Sequence, residues 1–156
     1  MVEIERKFLM KGSGYRTEAT SRTRIVQGFL NTDPERTVRV RIKGQEAFLT
    51  VKGISNDSGT MRFEWETGIG VEEAEALLQL CEPTIIEKIR YVIPNGNHLF
   101  EVDEFLGENQ GLVIAEIELE NENDPFERPE WLGKEVTGAL KYYNSMLSKN
   151  PFSAWK

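Results

Sequence analysis

The chain has 156 residues, a formal net charge of −7, and 29% charged against 39% hydrophobic residues. That is the profile of a globular domain large enough to bury a core; the acidic balance argues against a general nucleic-acid binder, and no apolar run is long enough to span a membrane. A single cysteine, Cys81, excludes an internal disulfide, and an N-terminus charged from Glu3 has no apolar signal core. The expectation is one cytoplasmic domain over residues 1–156, with Cys81 as a packed side chain.

Residues 1–10 read as a strand, because Val2, Ile4 and Phe8 alternate with Glu3, Glu5 and Lys7. Lys11–Gly14 is a turn, and residues 21–31 are extended up to the Asn31-Thr32-Asp33-Pro34 stop. Thr37–Lys43 sets Val38, Val40 and Ile42 against Arg39, Arg41 and Lys43, and a turn at Gly44–Glu46 leads to a hairpin partner over Ala47–Lys52. Met61–Thr67 opposes Met61, Phe63 and Trp65 to Arg62, Glu64 and Glu66. Over residues 71–81 the period changes: Val71, Ala74, Leu77, Leu78 and Cys81 predict an amphipathic helix with acids in its first turn.

Thr84–Ile93 is the next predicted strand, with Lys88 and Arg90 on one face, although Glu87 breaks its alternation. A turn at Pro94–Asn97 separates it from Leu99–Phe105, where Glu101 and Asp103 share a face. In Leu112–Glu120, Glu116, Glu118 and Glu120 oppose Val113, Ala115, Ile117 and Leu119. A last helix is predicted over about 134–149 from Val136, Leu140, Tyr143 and Leu147, with Pro151 as its stop. Eight strands joined mostly by short turns, with two helices, predict an α+β fold on an antiparallel sheet or barrel.

The charged faces carry the functional signal. They hold eight acids (Glu3, Glu5, Glu64, Glu66, Glu101, Asp103, Glu116, Glu118) and seven bases (Lys7, Arg39, Arg41, Lys52, Arg62, Lys88, Arg90). A solvated sheet face usually mixes Ser, Thr, Asn and Gln among its charges. Here adjacent same-face positions are nearly all ionic and largely segregated by sign, so like charges crowd one another. Convergence on one cavity explains this: carboxylate oxygens suit Mg²⁺ or Mn²⁺, and Arg and Lys suit phosphate. Other chemistries are poorly supplied. His98, the one histidine, sits beside a Gly-Asn turn and suits a surface or hairpin role; no Cys/His zinc cluster, GxxxxGK[ST] loop or GxGxxG fingerprint is present.

Glu3-Ile4-Glu5-Arg6-Lys7-Phe8 matches the ExExK signature of the CYTH superfamily, the triphosphate tunnel metalloenzymes. The chain resembles that family in order through Gln27-Gly28-Phe29-Leu30, Arg39-Val40-Arg41-Ile42, Leu49–Gly53, the Arg62/Glu64/Glu66 strand, Lys88–Tyr91, Glu101–Phe105, Gly111–Leu119 and Gly133–Thr137. The resemblance implies an eight-stranded antiparallel barrel with a charged lumen and Mg²⁺- or Mn²⁺-dependent hydrolysis of a small-molecule triphosphate, inorganic tripolyphosphate first, by a monomer or homodimer. It implies metal binding by Glu3, Glu5, Asp103, Glu116 and Glu118, phosphate binding by Lys7, Arg39, Arg41, Lys52, Arg62, Lys88 and Arg90, and further acidic lining by Glu64, Glu66 and Glu101. Glu5, Lys7, Lys88 and Glu118 would stand nearest the chemistry. Thiamine triphosphate hydrolysis, class IV adenylate cyclase activity and non-catalytic polyphosphate or phosphometabolite binding are the alternatives. Phe29 departs from relatives that carry Tyr there.

Overall fold

The computed structural model describes residues 2–155. Its strands are β1 (Val2–Met10), β2 (Ser21–Asn31), β3 (Thr37–Lys43), β4 (Glu46–Lys52), β5 (Met61–Ile69), β6 (Ile86–Asn95), β7 (His98–Phe105), β8 (Val113–Glu118) and β9 (Leu132–Glu135). Three helices accompany them: α1 (Tyr15–Glu18), α2 (Val71–Leu78) and α3 (Asn144–Leu147).

The strand order is β5-β4-β3-β2-β6-β7-β8-β1, and β1 returns to β5 through Val2↔Phe63, Glu3↔Arg62 and Ile4↔Met61. This closes an eight-stranded antiparallel barrel, the architecture expected from the sequence. β9 lies outside the ring on the far half of β1, with Phe8 opposite Glu135 and Met10 opposite Leu132. Two-residue connections at Gly44-Gln45 and Gly96-Asn97 make the tight hairpins β3–β4 and β6–β7.

The barrel is apolar outside and charged inside. Alternate residues point outward and are covered by short elements. Phe8, Tyr91, Ile93, Phe100, Val102, Ala115 and Ile117 pack under α1 and the 121–132 segment through Tyr15, Trp131 and Leu132. α2 covers Val40 and Ala47 with Ala74, Val71, Leu77 and Leu78. Its start is held by Glu73, which accepts a hydrogen bond from the Gly70 N–H at 2.8 Å. The outward side chains Phe63 (48% exposed) and Trp65 (39%) stay open to solvent.

Three expectations require correction. The predicted helix over 134–149 does not form. Residues 132–135 instead add β9 to β1, and the rest holds only a 3₁₀ turn at Leu140–Tyr142 and the single α-helical turn Asn144–Leu147. Gly138, at φ +78°, breaks any continuous helix, and Gly133 lets β9 lie so close to β1 that a Cβ there would stand 2.8 Å from the Leu9 carbonyl oxygen. The helical spacing of Val136, Leu140, Tyr143 and Leu147 is real, but it spans two short turns. The helix predicted over 71–81 ends at Leu78, and the strand predicted over 84–93 starts at Ile86. Glu87 breaks the alternation because it points outward and pairs with Arg24 of β2, while Ile86 points in.

Candidate active site

Antiparallel register builds the site by setting charges opposite one another across neighbouring strands. Glu3 faces Arg62, Lys7 faces Glu116, Lys52 faces Glu64 and Arg90 faces Asp103. Two pairs break this rule: Glu5 lies opposite Glu118, and Glu101 opposite Glu116. Every predicted charged residue except Asp103 lines one cavity of about 260 Å³, and Asp103 stands just behind its wall.

Depth sorts the charges. Lys88 (1% exposed), Arg90 (6%) and Lys7 (9%) are buried, whereas the side chains of Glu101 (36%) and Glu66 (39%) remain open. Lys88, Arg90 and Lys7 therefore lie deepest, together with Asp103; Glu66, Glu101 and Glu118 stand at the mouth; and the side chains of Glu3 and Glu116 (14% each) lie between.

Asp103 belongs to the cationic layer. Its Oδ1 accepts from Arg90 Nε at 2.8 Å and its Oδ2 from Arg90 at 2.9 Å, while Lys88 Nζ is 2.8 Å from the same Oδ2. Burial works to raise this carboxyl, but Arg90 and Lys88 overwhelm that effect and hold it far below the usual carboxylate range. Both oxygens that would face a metal are thus taken by cations. Lys88 is drawn down to about 7 by burial, opposed by Asp103 and reinforced by Arg90 and Arg41.

The remaining cations are under-compensated. Arg41 donates to Gln27 Oε1 at 2.8 Å, and among the described residues it has no carboxylate partner within 4 Å. Burial, then Arg39 and Arg90, push it well below its ordinary value. Arg39 donates to Thr50 Oγ1 at 3.1 Å and reaches Glu66 at 3.5 Å, but its Nε is buried with no hydrogen-bond partner. Such a cluster suits a polyanion, which supplies the missing acceptors.

The acids on the facing wall show the converse strain. Burial, then Glu116 and Glu3, push Glu5 well above the carboxylate range, and Glu5 hydrogen bonds to Glu116. Burial works to raise Glu116, but Lys7, the Glu5 hydrogen bond and Arg90 outweigh it and hold this carboxyl at about 2. Glu3 is held below its usual value against burial, chiefly by Lys52, whose Nζ lies 2.9 Å away and also reaches Glu64 at 3.3 Å. Burial, Glu3 and Glu101 raise Glu118. Among the described residues no three acids already converge as a formed metal cage. The donor set nevertheless fits a hard divalent cation: oxygen only, and with a buried carboxyl pair that needs a shared positive charge between its members.

Sequence reasoning missed four contributors. Gln27, Thr50, Tyr143 and Asn144 are neutral, so a search for ionic faces passes over them. Asn144 accepts from Lys88 Nζ and from Gln27 Nε2, each at 2.9 Å. The Tyr143 ring stands 4.8 Å from Lys7 Nζ and 5.9 Å from the Arg62 guanidinium. Phe29 is buried beside Ile86, Phe105 and Leu147 and borders the cavity with an apolar ring.

Known proteins resemble this chain along nearly its whole length. The CYTH domain family matches residues 1–151. An inorganic triphosphatase of Acetivibrio thermocellus is 48% identical over 155 residues, covering 99% of this chain and 97% of that one. An inorganic triphosphatase of Nitrosomonas europaea is 35% identical over 153 residues, covering 95% and 97%. The crystal structure of an inorganic triphosphatase superposes with a TM-score of 0.65 at 34% identity, over 94% of this chain and 93% of that one. The ordered sequence resemblance, the closed barrel and these matches agree: the chain belongs to the CYTH domain family.

Proposed function

We propose that the protein is an inorganic triphosphatase that hydrolyses tripolyphosphate to pyrophosphate and phosphate with the help of Mg²⁺ or Mn²⁺. The observation that carries this reading is the buried cation cluster of Arg39, Arg41, Lys88 and Arg90, in which Arg41 has no carboxylate partner among the described residues and the Arg39 Nε has no acceptor, facing a wall of carboxylates. The high identity to inorganic triphosphatases over nearly the whole chain supports it.

In this reading Lys7, Arg39, Arg41, Lys52, Lys88 and Arg90 bind the phosphoryl oxygens and spread the charge of the substrate. Asp103 is a positioning residue that fixes Arg90 and Lys88. Glu3, Glu5, Glu116 and Glu118 would hold the divalent ion, which when bound supplies positive charge at the mouth and polarises a phosphoryl oxygen. Water attacks the terminal phosphorus in line, the bridging P–O bond breaks, and pyrophosphate leaves with the bonding electrons. Glu118, the most open carboxylate of the set, accepts the proton of that water. Catalysis here is mainly positioning and electrostatic stabilisation.

The test is phosphate release from tripolyphosphate, thiamine triphosphate and ATP, each with Mg²⁺ and with Mn²⁺. Tripolyphosphate should be turned over fastest. No release from it with either metal would overturn the assignment.

A further inference from the structure

The outer edge of β5 has no role in the triphosphatase reading. β4 pairs with β5 from Lys52↔Glu64 to Ala47↔Ile69, but β1 reaches only Met61–Phe63. Among the described residues, 65–69 therefore have one unpaired side. Hydrogen bonds already made show which groups lie there. The Phe63 carbonyl accepts from the Gly53 N–H on the β4 side, and the Thr60 carbonyl accepts from the Glu5 N–H on the β1 side. Backbone direction alternates along a strand, so the odd positions of β5 turn toward β4. The N–H and C=O groups of Glu66 and Gly68 point out of the free edge. The outer face of the same region is also open, with Trp65, Phe63 and Val2 all exposed. An edge of this kind is a template for another strand.

We propose that a second copy of this chain occupies that edge: two β5 strands pair antiparallel about a two-fold axis at Thr67, and the sheet runs on from one barrel into the other. Self-complementarity selects both the occupant and the register. With the axis at Thr67, Glu66 lies opposite the partner's Gly68, and Gly68 lies opposite the partner's Glu66. The free N–H and C=O groups of each copy then satisfy those of the other, and no carboxylate meets a like charge. On the outer face Trp65 meets the partner's Ile69, and the two Thr67 side chains meet each other. Aromatic–β-branched and Thr–Thr pairs are favourable cross-strand neighbours. An axis at Glu66 would oppose two carboxylates, and an axis at Gly68 would set Trp65 beyond the end of the partner's β5. With the flanking Phe63 and Val2, the pairing covers on the order of 500 Å² per copy, about 1,000 Å² in all, the lower bound for a specific interface. The two-fold consumes both edges, so assembly stops at the dimer.

The experiment uses the full chain without ligand. Sedimentation velocity from about 1 to 100 μM should show monomer converting to dimer, with a Kd in the micromolar range. Gly68→Pro removes an N–H that faces the edge and not β4, so it should weaken the dimer about tenfold or more while circular dichroism keeps the strand signal. Thr67→Cys in a Cys81→Ser background reads the register. Residues facing each other in a non-hydrogen-bonded antiparallel pair stand within disulfide reach, so mild oxidation should give a covalent dimer. Phe63→Cys in the same background should give none, because its counterpart lies far along the partner's strand. A monomer at every concentration would leave the edge to a different partner and overturn the proposal. So would a dimer that Gly68→Pro leaves intact, or one that Thr67→Cys does not cross-link. Should Gly68→Pro fail to fold, the two cysteine variants decide alone.

Discussion

Glu5 of β1 and Glu116 of β8 meet diagonally across their strand pair as hydrogen-bonded carboxyls, one pushed well above the usual range and the other held at about 2. Two buried carboxylates cannot share a hydrogen bond unless a proton lies between them. The opposite directions of the two shifts make Glu5 the member of the pair that favours the proton.

Metal affinity should therefore rise with pH, and binding should release a proton, because the cation displaces the one on Glu5. Titration calorimetry with Mn²⁺ in buffers of different ionisation enthalpy measures the release, and zero release would remove Glu5 from the ligand set. A stability term of opposite slope accompanies it. The folded pKa of Glu5 lies above its unfolded value, so between the two the native state holds the extra proton. That contribution is present below the unfolded pKa and is lost as pH rises through the folded one. Metal-free Glu5→Gln should therefore gain on wild type in melting temperature as pH rises.

Asp103→Asn should be costly. It leaves Arg90 and Lys88 buried without their shared carboxylate, and breaking one side of such a cluster costs about 3–5 kcal/mol. Urea denaturation reads this directly. A loss under about 1 kcal/mol would mean that water or rearranged acids already compensate these cations.

Arg39→Ala should raise KM for tripolyphosphate about tenfold with a smaller effect on kcat, because Arg39 lies deep in the cavity with an unpartnered Nε. Glu66, which contacts it at 3.5 Å, gives the matching control. If Glu66→Ala leaves KM and kcat unchanged, Glu66 is a solvated mouth residue and not part of the phosphate site.

Glu118→Gln should keep the fold and lose turnover by roughly 100-fold or more, as removal of a group acting on the attacking water does. Steady-state phosphate release with Mg²⁺ and with Mn²⁺ checks this, and near-normal rates would move the proton-accepting role to another carboxylate.

Leu147→Ala should destabilise by about 2–5 kcal/mol, since a fully buried leucine leaves a cavity among Phe29, Ile86, Phe105 and Ile114. Urea unfolding with an unchanged m-value would identify it as lost packing.

Strand alternation made the barrel wall legible. Glu3/Glu5/Lys7, Arg39/Arg41 and Glu116/Glu118 all point inward as their period of two requires, because a closed sheet admits only two faces. The two-residue hairpins at Gly44 and Gly96 were equally readable. What alternation could not reveal was the end of the lumen. Ile86 and Phe105 share a face with Lys88 and Asp103, and only the closed structure shows that the inward face changes from charged to apolar along its length. Tyr143 and Asn144 were hidden because helical spacing continues across Gly138, whose positive φ divides the segment. Asp103 read as one more carboxylate, since its capture by two cations depends on which strands become neighbours.

The closing seam also fixes when the site can exist. Glu3 meets Lys52, 49 positions along the chain, and Arg6 meets Glu135, 129 positions along. Contacts this distant must recover a large loop-closure cost before they stabilise anything, which places them late in folding. During synthesis the carboxylates of β1 emerge first and wait for β8, the strand that supplies Glu116 and Glu118. A nascent chain that stops short of β8 carries Glu3 and Glu5 of the acid wall without Glu116 and Glu118. The charged lumen and the closed ring therefore arise in the same event.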